Sequence, residues 1–303
     1  MKFIKSPLNY TGGKYKLLPN LMGAFPEKID TFVDLFAGGF NIGINIEANK
    51  IICNDHITYI IELYKTFASK SIEETLRFIQ QRIIQYELSQ TNTAGYNTLR
   101  DFYNENKNVM DLFILTCYAF NHQIRFNNKH RFNTPFGKER SSYNRNIEKN
   151  LVDFCTALKE KNVVFENKDF LKVDLSDLSS SSLVYCDPPY LISTGSYNDG
   201  KRGFKDWTEK EERELLSILD DLNQRGVKFA LSNVLYHKGM TNDLLIEWSK
   251  KYHTMFLDKT YANCSYHFKD RNAKTIEVLI TNYDYLKEGR LVCEQIRPFK
   301  KIR

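Results

Sequence analysis

No stretch of this 303-residue chain reaches the roughly 18 consecutive apolar residues that a membrane-spanning helix needs. Met1-Lys2-Phe3-Ile4-Lys5 runs into Ser-Pro rather than into the apolar centre of a secretory signal. A soluble, cytoplasmic protein without a membrane partner is the expectation. Cysteine is sparse: the six, at 53, 117, 155, 186, 264 and 293, stand singly, so neither a disulfide framework nor a zinc site is spelled out. Histidine is as scattered, and His122, His130, His237 and His267 lack metal-ligand spacing and read as hydrogen-bonding surface residues. No metal is expected. No internal repeat and no Pro- or Gly-rich linker divides the chain.

What is present is globular. A composition of 42% hydrophobic and 26% charged residues suits one large core, or one core with an inserted lobe. The net charge of +6 is modest, but its distribution is not. Between residues 121 and 150, Arg125, Lys129, Arg131, Lys138, Arg140, Arg145 and Lys149 face only Glu139 and Glu148, a local net of +5. Phe120, Phe126, Phe132, Phe136 and Tyr143 interleave with these cations. That mixture neutralises phosphates and offers planar faces to bases; a solvated charged face is the plainer alternative.

Short β-rich runs predict strands over Thr31 to Phe36, Ile51 to Asp55, Val163 to Glu166, Leu183 to Cys186, Lys228 to Leu231, Thr254 to Leu257 and Glu277 to Tyr283. A helix is expected over Asn41 to Asn49. Apolar residues at Ile57, Ile60, Ile61 and Tyr64, and at Leu76, Ile79, Ile83 and Ile84, predict helices through about Asp111, with a buried helix over Leu112 to Phe120. Asn127-Asn128-Lys129 reads as a hairpin turn between Gln123 to Phe126 and His130 to Thr134. One α/β domain, 1–58 and 151–303, is thus interrupted by residues 59–150.

Six of the fourteen glycines fall in the first 43 residues, around the first strand. Asp34-Leu-Phe-Ala-Gly-Gly lacks the third glycine of a dinucleotide fingerprint, which argues against a tightly held pyrophosphate. Asp55 follows 21 residues after Asp34, near the spacing of an acid that binds ribose hydroxyls. A nucleoside cofactor without phosphates fits, and S-adenosylmethionine is the obvious one. Asp187-Pro188-Pro189-Tyr190 ends an apolar run of four with a carboxylate, a rigid carbonyl and an aromatic plate. Those groups suit an exocyclic amine on a planar base. Two N–H···O bonds, to Asp187 and to the Pro188 carbonyl, would pull the nitrogen toward tetrahedral geometry and free its lone pair for in-line attack on a sulfonium methyl. Tyr190 would stack on the base, which must flip out of the duplex.

With Asn9-Tyr10-Thr11-Gly12-Gly13-Lys14, these motifs resemble the Dam-type, alpha-class DNA adenine-N6 methyltransferases from near the N-terminus to about residue 283. The resemblance implies a Rossmann-like S-adenosylmethionine-dependent methyltransferase sheet, with residues 59–150 as an inserted, mainly helical target-recognition domain carrying a β-hairpin. It implies that Tyr10, Lys14, Asp34, Phe36, Gly38, Asp55, Asp169, Phe170 and Asp187 hold the cofactor, Lys14 as a cation for its carboxylate. Asp187, Pro188 and Tyr190 would be catalytic, on adenine N6 in double-stranded DNA. Arg125 would read guanine or contact a phosphate, and Asn127, Lys129, Arg131, Lys138 and Arg140 would join it on DNA. A monomer in a prokaryotic or phage context is expected, with a cognate restriction endonuclease as a further partner. Asn121-His122-Gln123 departs from the GATC-specific members, which leaves the target sequence open. Cytosine N4 is an alternative substrate, and a catalytically silent DNA-binding protein with this fold is another. The basic insertion suits a duplex major groove better than an RNA strand. Gly195 to Lys205 reads as a DNA-clamping or an ordinary loop, and Tyr261 to Arg271 as a candidate wall of the base pocket.

Overall fold

A computed structural model of the chain describes residues 2–10, 12–192, 207–257 and 275–290. The segments 195–205 and 261–271 lie outside the described residues. Eight strands make one sheet: β1 (Thr31–Asp34), β2 (Lys50–Asn54), β3 (Val163–Glu166), β4 (Leu183–Cys186), β5 (Lys228–His237), β6 (Met240–Thr241), β7 (His253–Phe256) and β8 (Thr275–Thr281). Their order is β3-β2-β1-β4-β5-β8-β7, with β6 folded back on β5. Strands β1 to β5 pair in parallel, and β8 runs antiparallel to both β5 and β7. The winding reverses between β1 and β4, and a crevice opens beyond the carboxyl ends of strands at such a point. Asp34 and Tyr185 are register partners there, so Asp34 and Asp187 come from neighbouring strand ends.

The parallel strands are apolar on both faces because each face is covered. Successive side chains alternate: Phe32, Leu183 and Tyr185 join one core, and Val33, Val184 and Cys186 the other. The first core receives α1 (Leu18–Ala24), α2 (Thr58–Ser69), α5 (Val109–Tyr118) and α6 (Arg145–Glu160), through Leu21, Tyr64, Phe113 and Phe154. The second receives α7 (Glu209–Gln224) and α8 (Asp243–Ser249), through Leu215, Leu219 and Leu245. The long β2-to-β3 crossover also holds α3 (Ile72–Gln85) and α4 (Thr93–Asn106). Ser71 and Glu74 form a capping box at the start of α3, worth about 1 kcal/mol. A last short helix, α9 (Tyr285–Glu288), follows β8.

The helix expected over 41–49 is absent; a single 3₁₀ turn, Gly43–Asn45, stands in its place. The two asparagine side chains serve the backbone of the N-terminal segment instead. Asn45 accepts from Ile4 N and donates to Ile4 O, each at 2.8 Å, and Asn41 accepts from Ser6 N at 2.9 Å. Short amides that bond to foreign backbone compete with a helix in this way. The hairpin is narrower than expected, with an isolated bridge, Phe126 to Phe132, and an Asn127 side-chain oxygen, Oδ1, that accepts from Lys129 N and Arg131 N. No helix among the described residues is long and apolar enough to cross a membrane.

Candidate active site

The turn after β1 is held open by backbone conformations that side chains disfavour. Gly38 has φ +46°, and an added Cβ would sit 3.0 Å from the Tyr10 ring. Gly38 N donates to Asp55 Oδ2 at 2.8 Å, and the Tyr64 hydroxyl donates to Gly38 O at 2.6 Å. The other Asp55 oxygen accepts from Ile57 N at 2.9 Å, so this acid secures the glycine turn. Burial raises the Asp55 carboxyl, opposed by His56 and by the two N–H donors.

The turn, the strand ends and the N-terminal loop form an open cleft lined by Tyr10, Lys14, Asp34, Phe36, Gly38, Asp55, His56, Asp187, Pro188 and Tyr190, among others. A second cleft adjoins it, lined by Asn54, Lys168, Asp169, Phe170, Trp207 and Glu211; the two share Phe36, His56 and Pro189. Phe36, Phe170 and Trp207 form an aromatic trio with ring centroids 5.4 to 5.7 Å apart. Trp207 is fixed by a 2.6 Å bond from its indole N–H to Glu212, a buried carboxylate that also accepts from Asn233 and Asn242. The fold thus brings together every residue expected to hold the cofactor.

Asp34 is buried, with Oδ2 accepting from Gly43 N at 3.2 Å and Oδ1 without a hydrogen-bond partner. Loss of water drives its carboxyl well above the usual range, and Asp187 and Asp55 push it further. Asp187 is raised chiefly by burial, against the pull of Lys14.

Lys14, expected as a cation for the cofactor carboxylate, lines the cleft and faces its acids. Its ammonium lies 2.7 Å from Asp187 Oδ2, 3.5 Å from Glu277 Oε1 and 3.0 Å from Gly12 O, and it faces the Tyr190 ring at 5.1 Å. The Tyr190 hydroxyl is 3.0 Å from both Asp187 Oδ1 and Glu277 Oε1. Glu277, Trp207 and Glu212 had no place in the sequence-based site. The one available signal for Glu277 was a lone charge inside an otherwise apolar strand.

The basic residues of the β2-to-β3 crossover are at the surface. Arg125 is exposed, its guanidinium bonded to Asn133 Oδ1 and O at 3.2 Å each. Lys129, Lys138 and Arg140 are exposed as well, Arg140 lying over the Phe120 ring, and Arg131 pairs with Glu105 at 2.8 Å. The aromatic half of the expected DNA surface is corrected at the hairpin, while Phe120 is exposed. Phe126 and Phe132 are 2% and 1% exposed, and Phe136 packs on Tyr96. The hairpin's alternation turns its phenyl groups inward, where burial of each contributes roughly 1.5–3 kcal/mol, so they offer bases no free face. Asn9, next to Tyr10 of the cleft, donates from Nδ2 to Asn121 O of this region at 3.0 Å.

A mostly parallel α/β sheet, with an acid, two prolines and a tyrosine beside a glycine turn at its switch point, is the arrangement of a Rossmann-like methyltransferase fold. The chain belongs to the D12 class N6 adenine-specific DNA methyltransferases, whose family model matches residues 10–273. It is 54% identical over 281 residues to the type II methyltransferase M.FokI of Planomicrobium okeanokoites, and 47% identical over 285 residues to the modification methylase StsI of Streptococcus sanguinis. Each match covers 93% of this chain and 43% of the relative, so the chain spans less than half the length of these relatives. The DNA adenine methylase of Escherichia coli strain K12 is 27% identical over 239 residues, which are 77% of this chain and 82% of that protein.

Proposed function

We propose that the chain transfers a methyl group from S-adenosylmethionine to the N6 amino group of a flipped adenine in double-stranded DNA. The supporting observation is that Asp187 and Tyr190 share one cleft with Asp34, the glycine turn and, through Phe36 and Pro189, the aromatic wall. The residues fit the cofactor: the aromatic wall of Phe36, Phe170 and Trp207 along the adjoining cleft suits one side of an adenine ring, and the unpartnered Asp34 oxygen suits a cationic N–H donor. Tyr10 covers the turn at Gly38, Asp55 lines the main cleft and would hold the ribose hydroxyls, and Asp169 lines the adjoining cleft and would border the adenine. When bound, the cofactor supplies a sulfonium-activated methyl group.

Asp187 and the Pro188 carbonyl accept the two N–H groups of the amine, and proline rigidity leaves that carbonyl little to reorganise. When the amine accepts that methyl group, Asp187 would take the proton that the nitrogen sheds. Asp187 serves only when ionised. Arg125, Asn127, Lys129, Arg131, Lys138 and Arg140, within residues 59–150, form the DNA-facing lobe, with Arg125 the candidate for guanine. Relatives named modification methylases make a cognate endonuclease the proposed companion.

The test is incubation with tritiated cofactor and unmethylated genomic DNA, followed by digestion to nucleosides. Label in deoxyadenosine is the expected result, lost in Asp187→Ala at unchanged folding. Label in deoxycytidine, or full turnover by Asp187→Ala, would overturn the reading.

A further inference from the structure

Glu277 lies within β8 among Ile276, Val278, Leu279 and Ile280. A carboxylate in such a strand is costly unless it is paired. Its partners are those of Asp187: the Tyr190 hydroxyl, 3.0 Å from an oxygen of each acid, and the Lys14 ammonium, 3.5 Å from Glu277 and 2.7 Å from Asp187. A phenol has one proton and cannot donate it to two carboxylates at once. Glu277 and Asp187 therefore compete for one hydroxyl proton and divide one ammonium.

We propose that Glu277 is a positioning residue of the methyl-transfer site, which draws Lys14 and the Tyr190 hydroxyl proton away from Asp187 and leaves the Asp187 oxygens to accept the amine. The proposal rests on the function proposed above. An ion-paired carboxylate whose second oxygen already accepts a hydroxyl is a weaker acceptor for an N–H that grows acidic during transfer. The charged and titratable groups facing Asp187 are Lys14 from the N-terminal loop, Glu277 from β8, Tyr190 and Tyr185 from its own segment, and Asp34 and Cys186 from the strand ends. Loss of the Glu277 charge hands Lys14 to Asp187 alone and removes a neighbouring anion. Both changes lower the pH at which Asp187 ionises.

Single-turnover methylation of DNA from pH 5 to 9 tests this in the full chain with Glu277→Gln and Glu277→Asp. The neutral variant is expected to slow transfer on the order of tenfold. Its KM for the cofactor should stay near the wild-type value, and its acid limb should move down by roughly half a pH unit or more. Glu277→Asp keeps the charge and should keep the wild-type limb. An unchanged rate in Glu277→Gln, or a slower rate with an unmoved limb, would overturn the proposal. A ¹³C NMR titration of the Asp187 carboxyl, assigned by its loss in Asp187→Asn, decides the matter without turnover. If wild type methylates no DNA, the proposed function fails, yet an Asp187 titration that Glu277→Gln does not shift would still refute the positioning role. Should Glu277→Gln not fold, Glu277→Met supplies the neutral variant with a side chain matched to its apolar strand.

Discussion

Replacing Gly38 by alanine separates two effects that one residue combines. At φ +46° an alanine pays the left-handed strain of roughly 1–2 kcal/mol. Its Cβ would also stand 3.0 Å from Cδ1 and Cε1 of Tyr10, too close for the ring to keep its place. Gly226, just beyond α7, provides the control: φ is +73°, and nothing lies within 4 Å of an added Cβ. Gly226→Ala should therefore lose about the same 1–2 kcal/mol in urea unfolding, and bind S-adenosylmethionine like wild type. Gly38→Ala should show that loss plus a fall in cofactor affinity of about tenfold, or 1.4 kcal/mol, the scale of one displaced aromatic contact. Isothermal titration of cofactor into each variant gives the comparison. Equal affinities for the two variants would show that the Tyr10 ring does not bear on the cofactor, and would remove Tyr10 from the site.

Burial keeps the Asp34 carboxyl raised, so the folded chain retains a proton there that the unfolded chain releases above about pH 4. Its contribution to stability then falls as pH rises from that value toward the folded one, by at most about 1.4 kcal/mol per pH unit. Asp34→Asn, which can still accept from Gly43 N, should remove that slope in urea unfolding between pH 5 and 8, and parallel wild-type and variant curves would refute it. Arg125→Ala should cost roughly 1–3 kcal/mol at one base position and relax the sequence of methylated sites if the guanidinium reads guanine. A uniform loss over all sites, with a shallower salt dependence, would assign Arg125 to a phosphate.

The two strand-end motifs of the cleft were legible because their parts are local. Asp34 to Gly39 is one turn after one strand, and Asp187 to Tyr190 is one strand end; apolar runs and breakers mark such places. The helix expected over 41–49 failed because Asn41 and Asn45 bond to residues 4–6, a partnership that no window of helical spacing contains. The aromatic face expected of the hairpin failed for a related reason. Phe126 and Phe132 alternate with cations in the chain, but which side of a hairpin meets Tyr59 and Tyr103 is decided by packing.

The chain by itself determined the strands, the glycine turn, the Asp-Pro-Pro-Tyr strand end and the surplus of cations over residues 121–150, since each follows from residue types at short spacing. Only the tertiary structure decided what those groups meet. It set Glu277 beside Tyr190 across 87 residues of sequence, because β8 enters the sheet antiparallel next to β5. It also turned Lys14 to Asp187 and completed the aromatic wall with Trp207, held by the buried Glu212. The physical reason is that electrostatic and stacking energies depend on distances of a few ångströms, and those arise between strand ends that sequence spacing does not relate.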